Sequence, residues 1–228
     1  MQERPYVLLS AAASVDGYID DASGQRLLLS DAADLDRVDE VRAGCDAILV
    51  GAGTIRRDNP RLLVRSAARR EARLARGLTA SPVKVTLTRT GDLDPAASFF
   101  TTGDAARLVY AAAEGAAAAR ARLADVATVI DTGRPVTADA ILADLAARGI
   151  GRLMVEGGSS VQTQFLTAGA ADELQLAIAP FFVGDPAAPR FAGGGTFPHG
   201  PGHPMELAEA RPAGHVVLLR YLLSGRGR

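Results

Sequence analysis

Residues Cys45-Asp46-Ala47-Ile48-Leu49-Val50 run straight into Gly51-Ala52-Gly53-Thr54. The apolar run reads as a strand buried on both faces, and the glycines that follow read as a tight turn into a helix. The chain repeats the device further on, where Arg152-Leu153-Met154-Val155 runs into Glu156-Gly157-Gly158-Ser159-Ser160. Glycine lets the backbone approach a ligand closely, and the unpaired N–H groups at a helix start favour anions. Two such turns, each with a hydroxyl or carboxylate attached, suit a molecule with more than one phosphate, such as a dinucleotide.

The same alternation extends in both directions. Residues 6–13 read as a buried strand, broken by Ser14-Val15-Asp16-Gly17. Ser30-Asp31 caps a helix that carries Leu35, Val38, Val41 and Arg42 at helical spacing, with Asp31 and Asp34 where the dipole favours them. Asp58-Asn59-Pro60 ends the short helix after the first glycine turn. Strands are expected over 83–87, 107–110, 126–130, 153–155, 172–183 and 216–223. Helices are expected over 66–77, 114–123 and 137–148 and from the second glycine turn to Thr167, with 184–204 as loop. Strands alternating with helices predict a three-layer α/β fold, a mixed and mostly parallel sheet flanked by helices. The last two strands have no helix between them and should pair antiparallel.

The chain has 228 residues, 48% hydrophobic and 22% charged, and reads as one domain, 1–228. A net charge of −1 gives no field that would attract nucleic acid or a membrane surface. The single cysteine, Cys45, excludes an intrachain disulfide and fits a cytoplasmic protein. The apolar start is broken by Ser10 and preceded by Glu3, so it reads as a strand rather than a secretory leader. No apolar run approaches the roughly 20 residues of a membrane span.

Several residues have the chemistry of a site. Thr54 and Asp58 lie one helical turn apart, either beside a ligand or as a cap and an Asx turn before Pro60. Arg42 and Arg65 suit bidentate phosphate contacts. The plainer readings are dipole complementation for Arg42 and, for Arg65, a solvated arginine face shared with Arg69, Arg73 and Arg76. Glu156 stands at the carboxyl end of a strand, where α/β sheets bind ligands. Thr88-Arg89-Thr90 is either a grip for a terminal phosphate, such as the 2′-phosphate of NADP, or simply a polar turn. His199 and His203 have a metal pair's spacing, but the glycines and prolines around them forbid the helix it needs, so no metal is expected. His215 reads as structural. No Ser/His/Asp set points to nucleophilic catalysis.

The motifs Ser14-Val15-Asp16-Gly17, Arg42-Ala43 with Asp46-Ala47-Ile48-Leu49-Val50-Gly51, Gly53-Thr54, Asp58-Asn59-Pro60 and Val155-Glu156-Gly157-Gly158 are joined by Asp172-Glu173-Leu174, Ala179-Pro180 and Gly184. In order and spacing they resemble the pyrimidine reductase family of riboflavin biosynthesis. That family is the reductase half of a bifunctional deaminase–reductase and has a dihydrofolate-reductase-like fold. The resemblance implies an NADPH-dependent oxidoreductase that reduces a phosphoribosylamino-pyrimidine, with hydride delivered to C1 of the opened ribose, present as an imine. It places Thr54, Asp58, Thr88 and the turn over 158–163 against the cofactor; with the glycine turns and the Thr88-Arg89-Thr90 reading, the expected cofactor residues are Ala12, Gly51, Gly53, Thr54, Asp58, Thr88, Arg89, Gly157, Gly158, Ser159, Ser160 and Val161. Arg42, Leu62, Arg65 and Glu156 fall to the substrate, and Asp58 and Glu156 are the candidate proton donors. It also implies a cis Gly157–Gly158 peptide. A homodimer is expected through the C-terminal strands, since Leu174, Leu176, Ile178, Phe181 and Phe182 need cover and the apolar strand 216–223 would leave an open edge at the sheet's end.

Two departures bear on the substrate. Ser10 stands where the family often has Lys, and Gln25-Arg26-Leu27-Leu28-Leu29-Ser30 where it often has Glu-Ser-x-Trp-Ile-Ser. A reductase of dihydrofolate or another pterin, and a non-catalytic NADP-binding protein, are the competing readings. One cysteine cannot supply the zinc site of the family's deaminase partner.

Overall fold

The strand Ala47–Gly51 is buried at every position, as a strand covered on both faces must be. The computed structural model describes residues 3–23 and 27–227. The first elements are β1 (Tyr6–Ser14), α1 (Ala32–Ala43), β2 (Ala47–Gly51), α2 (Ala52–Asp58), α3 (Ala67–Ala75), β3 (Val83–Thr88), α4 (Ser98–Thr101) and β4 (Arg107–Ala111). They are followed by α5 (Ala113–Leu123), β5 (Thr128–Asp131), α6 (Ala138–Ala147), β6 (Arg152–Gly157), α7 (Ser159–Thr167), β7 (Glu173–Ala179), β8 (Glu206–Ala213) and β9 (Val216–Leu222). The chain resolves into two compact units, one of residues 1–5 and 39–154, the other of 6–38 and 155–228.

In the first unit β5, β4, β3 and β2 are neighbours in that order, all parallel, followed by the first half of β6. Its core is apolar: Ile48, Leu49, Val85, Val109, Phe99, Leu123, Ile141 and Leu145 are almost wholly buried. α6 starts where Thr137 accepts a bond from the Ala140 N–H, the cap that its sequence predicts. β5 begins two residues after its apolar run, because the N–H groups of Val126 and Ala127 both bond Leu123 O in the last turn of α5.

In the second unit the last half of β6 is followed by β1, β7, β9 and β8. β1 and β7 are parallel, whereas β7 and β9 pair antiparallel as expected. The expected class, a mixed and mostly parallel α/β sheet with antiparallel C-terminal strands, is therefore observed. Three details differ. The strand expected over 172–183 ends at Ala179, where Pro180 has no N–H to give and the Phe181 N–H turns back to Ala179 O. β8 was not legible: Glu206, Glu209, Arg211 and Pro212 look like loop, yet an edge strand tolerates charge and proline. Consequently β9 is not the open edge on which the dimer argument relied; it is covered by β8.

Helix α1 also departs from its apolar pattern. Its most buried residues are Asp34, Arg37 and Asp39, while Leu35, Val38 and Val41 are only half-buried. Such burial needs partners. Arg37 donates to Asp34 at 2.7 Å and to Gln175 at 2.6 Å.

Candidate functional site

In the first unit β2 and β3 are parallel with Gly51 opposite Leu87. The turns that begin at Gly51 and at Thr88 therefore leave the sheet at the same level, at the carboxyl ends of their strands. Gly51 is the N-cap of α2 and no side chain caps that helix, so Thr54 is not its cap. Gly53 lies in the first turn, and a Cβ there would meet nothing within 4 Å. Thr54 is half-buried and Asp58 exposed. Asn59 ends the helix in the left-handed region and accepts the Ser98 N–H at 2.6 Å, which fixes the turn before Pro60.

Thr88 is buried, and its hydroxyl accepts the Gly91 N–H at 3.1 Å. That bond closes the turn, while Arg89 and Thr90 are exposed on its outer side. The turn rests backbone to backbone on α5. A Cβ on Gly115 would lie 2.3 Å from Arg89 O, and one on Gly91 2.3 Å from Gly115 O. Glycine at both positions thus sets where Arg89 sits.

Arg42 and the segment that carries Leu62 and Arg65 are brought together. Arg42 donates to Leu63 O at 3.2 Å. Leu62 is buried at φ 48°, an uncommon conformation for a branched residue. Arg65 keeps its side chain about half exposed, with Nε 3.8 Å from Asp39. Asp39, which the sequence reading passed over, is 2% exposed and accepts the N–H groups of Arg65 and Ser66 as well as an Arg69 donor at 3.1 Å. Burial alone would raise its pKa; the backbone N–H groups and the Arg69 charge outweigh that and hold it below the usual carboxylate range. Arg73 is a correction to the solvated arginine face. It is buried and donates to Thr79 O, Ala43 O and Cys45 O.

In the second unit the half-buried Glu156 is the penultimate residue of β6. Gly157 and Gly158 follow with φ 140° and 63°, values that essentially only glycine adopts in sequence. Among the described residues the cis peptide is Arg134–Pro135, so the expected cis Gly157–Gly158 bond is not found. Two successive positive-φ residues make the turn instead. Gly158 is the N-cap of α7, again with no side chain capping it, and its carbonyl accepts from Val161 and Gln162. Ser159 and Ser160 stand in the first turn, with Val161 buried behind them. Ala12 lies on β1 opposite Ala177. The side chain of Gln162 reaches β1 itself, donating to Ser10 O at 3.3 Å.

A cavity of about 600 Å³ opens beside α7, between Ser159, Ser160, Thr163 and Thr167 and the loop Gly193–Thr196. The Gly193 N–H donates to the Thr163 hydroxyl at 2.8 Å. The triple glycine was the available signal for this wall. His199 and His203 stack at 5.1 Å in the loop that follows, outside any helix. Of the altered segment 25–30, Gln25 and Arg26 lie outside the described residues.

The chain matches the RibD C-terminal domain family over residues 5–219. It is 36% identical to the 2,5-diamino-6-ribosylamino-4(3H)-pyrimidinone 5′-phosphate reductase of Archaeoglobus fulgidus, over 85% of this chain and 89% of that one. In structure it resembles a pyrimidine reductase-like protein from Corynebacterium diphtheriae, with TM-score 0.80 and 25% identity over 96% of this chain and 91% of that one. A likeness in fold alone extends to dihydrofolate reductase of Enterococcus faecalis, with TM-score 0.51 and 15% identity over 95% of this chain and 98% of that one.

Proposed function

The chain belongs to the RibD C-terminal domain family, and from that premise we propose that it is an NADPH-dependent reductase of a phosphoribosylamino-pyrimidine in riboflavin biosynthesis. The observation that carries this reading is the match to a reductase of such a pyrimidinone phosphate along nearly the whole of both chains. The dihydrofolate reductase likeness is one of fold and favours no second activity.

Each glycine turn, taken within its own unit, fits a phosphate group of a dinucleotide cofactor. Both glycine turns open helices whose N-termini no side chain caps, and Gly53 leaves room for a ligand's close approach. In the first unit Gly51, Gly53, Thr54, Asp58, Thr88 and Arg89 are assigned to NADPH. In the second, Ala12, Gly157, Gly158, Ser159, Ser160 and Val161 are. When bound, the cofactor supplies hydride for C1 of the opened ribose. The chain's own work is to bind and orient. Arg42 and Arg65 neutralise the substrate phosphate, Leu62 is assigned to the substrate side through its backbone because its side chain is buried, and Glu156 contacts the substrate. Asp58 and Glu156 are the candidate proton donors.

We assign the protein to the cytoplasm, in keeping with its buried free Cys45. Among the described residues no helix is long and apolar enough to cross a membrane. We also propose a homodimer through the C-terminal strands, with edge strand β8 in place of β9 as the element that needs cover. Leu207, Val217 and Phe182 are 55%, 47% and 74% exposed. Steady-state NADPH oxidation tests the activity: turnover with the phosphoribosylamino-pyrimidine supports it, and turnover with dihydrofolate alone, or with neither, rejects it.

A further inference from the structure

The segment Leu63–Ser66 has no regular secondary structure, yet nearly every peptide group in it is held by a side chain. Leu63 O accepts from Arg42 at 3.2 Å, and the Val64 N–H donates to the Ser81 hydroxyl at 3.0 Å. Arg70 donates to Val64 O at 3.1 Å and to Arg65 O at 2.6 Å. The N–H groups of Arg65 and Ser66 both go to the carboxylate of Asp39. Leu62, just before, is locked at positive φ with its side chain buried. Irregular loops ordinarily satisfy their backbone with water. One that four side chains hold at six backbone groups has surrendered that freedom, and the side chain it presents outward is that of Arg65, about half exposed.

We propose that Asp39 is a positioning residue, which fixes the backbone of Arg65 and Ser66 so that the Arg65 guanidinium is pre-set for the phosphate of the substrate. The proposal rests on the substrate reading given above. A buried carboxylate has no chemical task here that a neutral residue could not share, except to accept several N–H donors at once, which is what Asp39 does. Its charge also faces Arg69 and the Nε of Arg65. Both arginines are thereby steered from one buried point. Pre-ordering a guanidinium removes the rotamer entropy that phosphate capture would otherwise cost.

The test compares wild type, Asp39→Asn, Asp39→Glu and Arg65→Ala with the phosphorylated substrate and with its dephosphorylated form. D39N should raise KM for the phosphorylated substrate about tenfold while kcat and the Kd for NADPH change less than threefold. D39E should recover part of the loss. The double variant D39N/R65A should be no worse than R65A alone. With the dephosphorylated substrate, D39N and wild type should coincide. Equal losses on both substrates, or additive losses in the double variant, would assign Asp39 to folding alone and overturn the proposal. Should D39N fail to fold, R70A removes the two carbonyl ties from the rim and should give the same KM-selective loss; its absence counts against the proposal. If the wild type turns over neither substrate, the functional reading fails separately. Calorimetric binding of ribose 5-phosphate to wild type, D39N and R70A then decides the matter: weaker binding in the variants supports positioning, and equal or absent binding overturns it.

Discussion

Lys84 is the only lysine in the chain, and it is fully buried in β3. Its Nζ donates to Phe99 O at 3.0 Å and to Thr102 O at 2.6 Å, which ties α4 to the sheet. A neutral amine has two N–H donors, enough for both carbonyls. Burial first, and the charge of Arg107 second, push its pKa down to about 8. Below pH 8 the amine is charged in both folded and unfolded chains, and the folded state bears the full cost of burying it. Between about 8 and 10.5 the unfolded chain binds more protons, so stability rises with pH; above that range the cost is gone. A drop from 10.5 to about 8 corresponds to about 3 kcal/mol, most of which is relieved between pH 7 and pH 10. Lys84→Met removes the titration. In urea unfolding, wild type should therefore gain about 2–3 kcal/mol on K84M over that interval. A lysine-labelled sample gives one side-chain resonance, whose midpoint should fall near 8. A midpoint of 10 or above, or parallel pH dependence of the two proteins, would show that burial of Lys84 carries no such cost.

Arg89→Ala should weaken NADPH binding and leave NADH nearly unchanged, because only NADPH has the extra dianion; equal wild-type affinity for both nucleotides would sink the assignment. Gly115→Ala should destabilise the fold by about 1–3 kcal/mol and erode the same preference, since its Cβ would drive the Arg89 turn off α5; a variant with unchanged Tm and unchanged selectivity counts against that packing role. Arg42→Ala and Arg65→Ala should each raise KM for the phosphorylated substrate by the equivalent of about 1.5–3 kcal/mol, and a loss of NADPH affinity instead would mean the site is divided wrongly. Sedimentation should find a dimer for wild type and a weaker one for Leu207→Glu on the β8 edge, whereas a wild-type monomer at micromolar concentration rejects it.

What could be read in advance follows the physics of each segment. β2 and β6 were legible because burial on both faces demands an unbroken apolar run and glycine marks the exits. β8 was not, because an edge strand is selected for charge and proline, the same letters that spell a loop. α1 could be found by its cap and its spacing, but the residues it buries are charged, and pairing across 138 positions, as in Arg37 with Gln175, has no local signature. Asp39 escaped for the same reason: its partners begin 26 residues away at Arg65. The glycine turns were legible as turns from a strand into a helix. Their assignment to a particular cofactor came from the family resemblance, not from spacing.

The proposed reaction is hydride transfer from NADPH to the ribose carbon of a phosphoribosylamino-pyrimidine. Turnover with NADPH deuterated at nicotinamide C4, followed by mass spectrometry of the product, tests it most directly. One deuterium should appear at C1 of a ribityl chain, with the pyrimidine ring unlabelled. Deuterium only in tetrahydrofolate when dihydrofolate is offered, or no consumption of NADPH with the pyrimidine substrate, would contradict it.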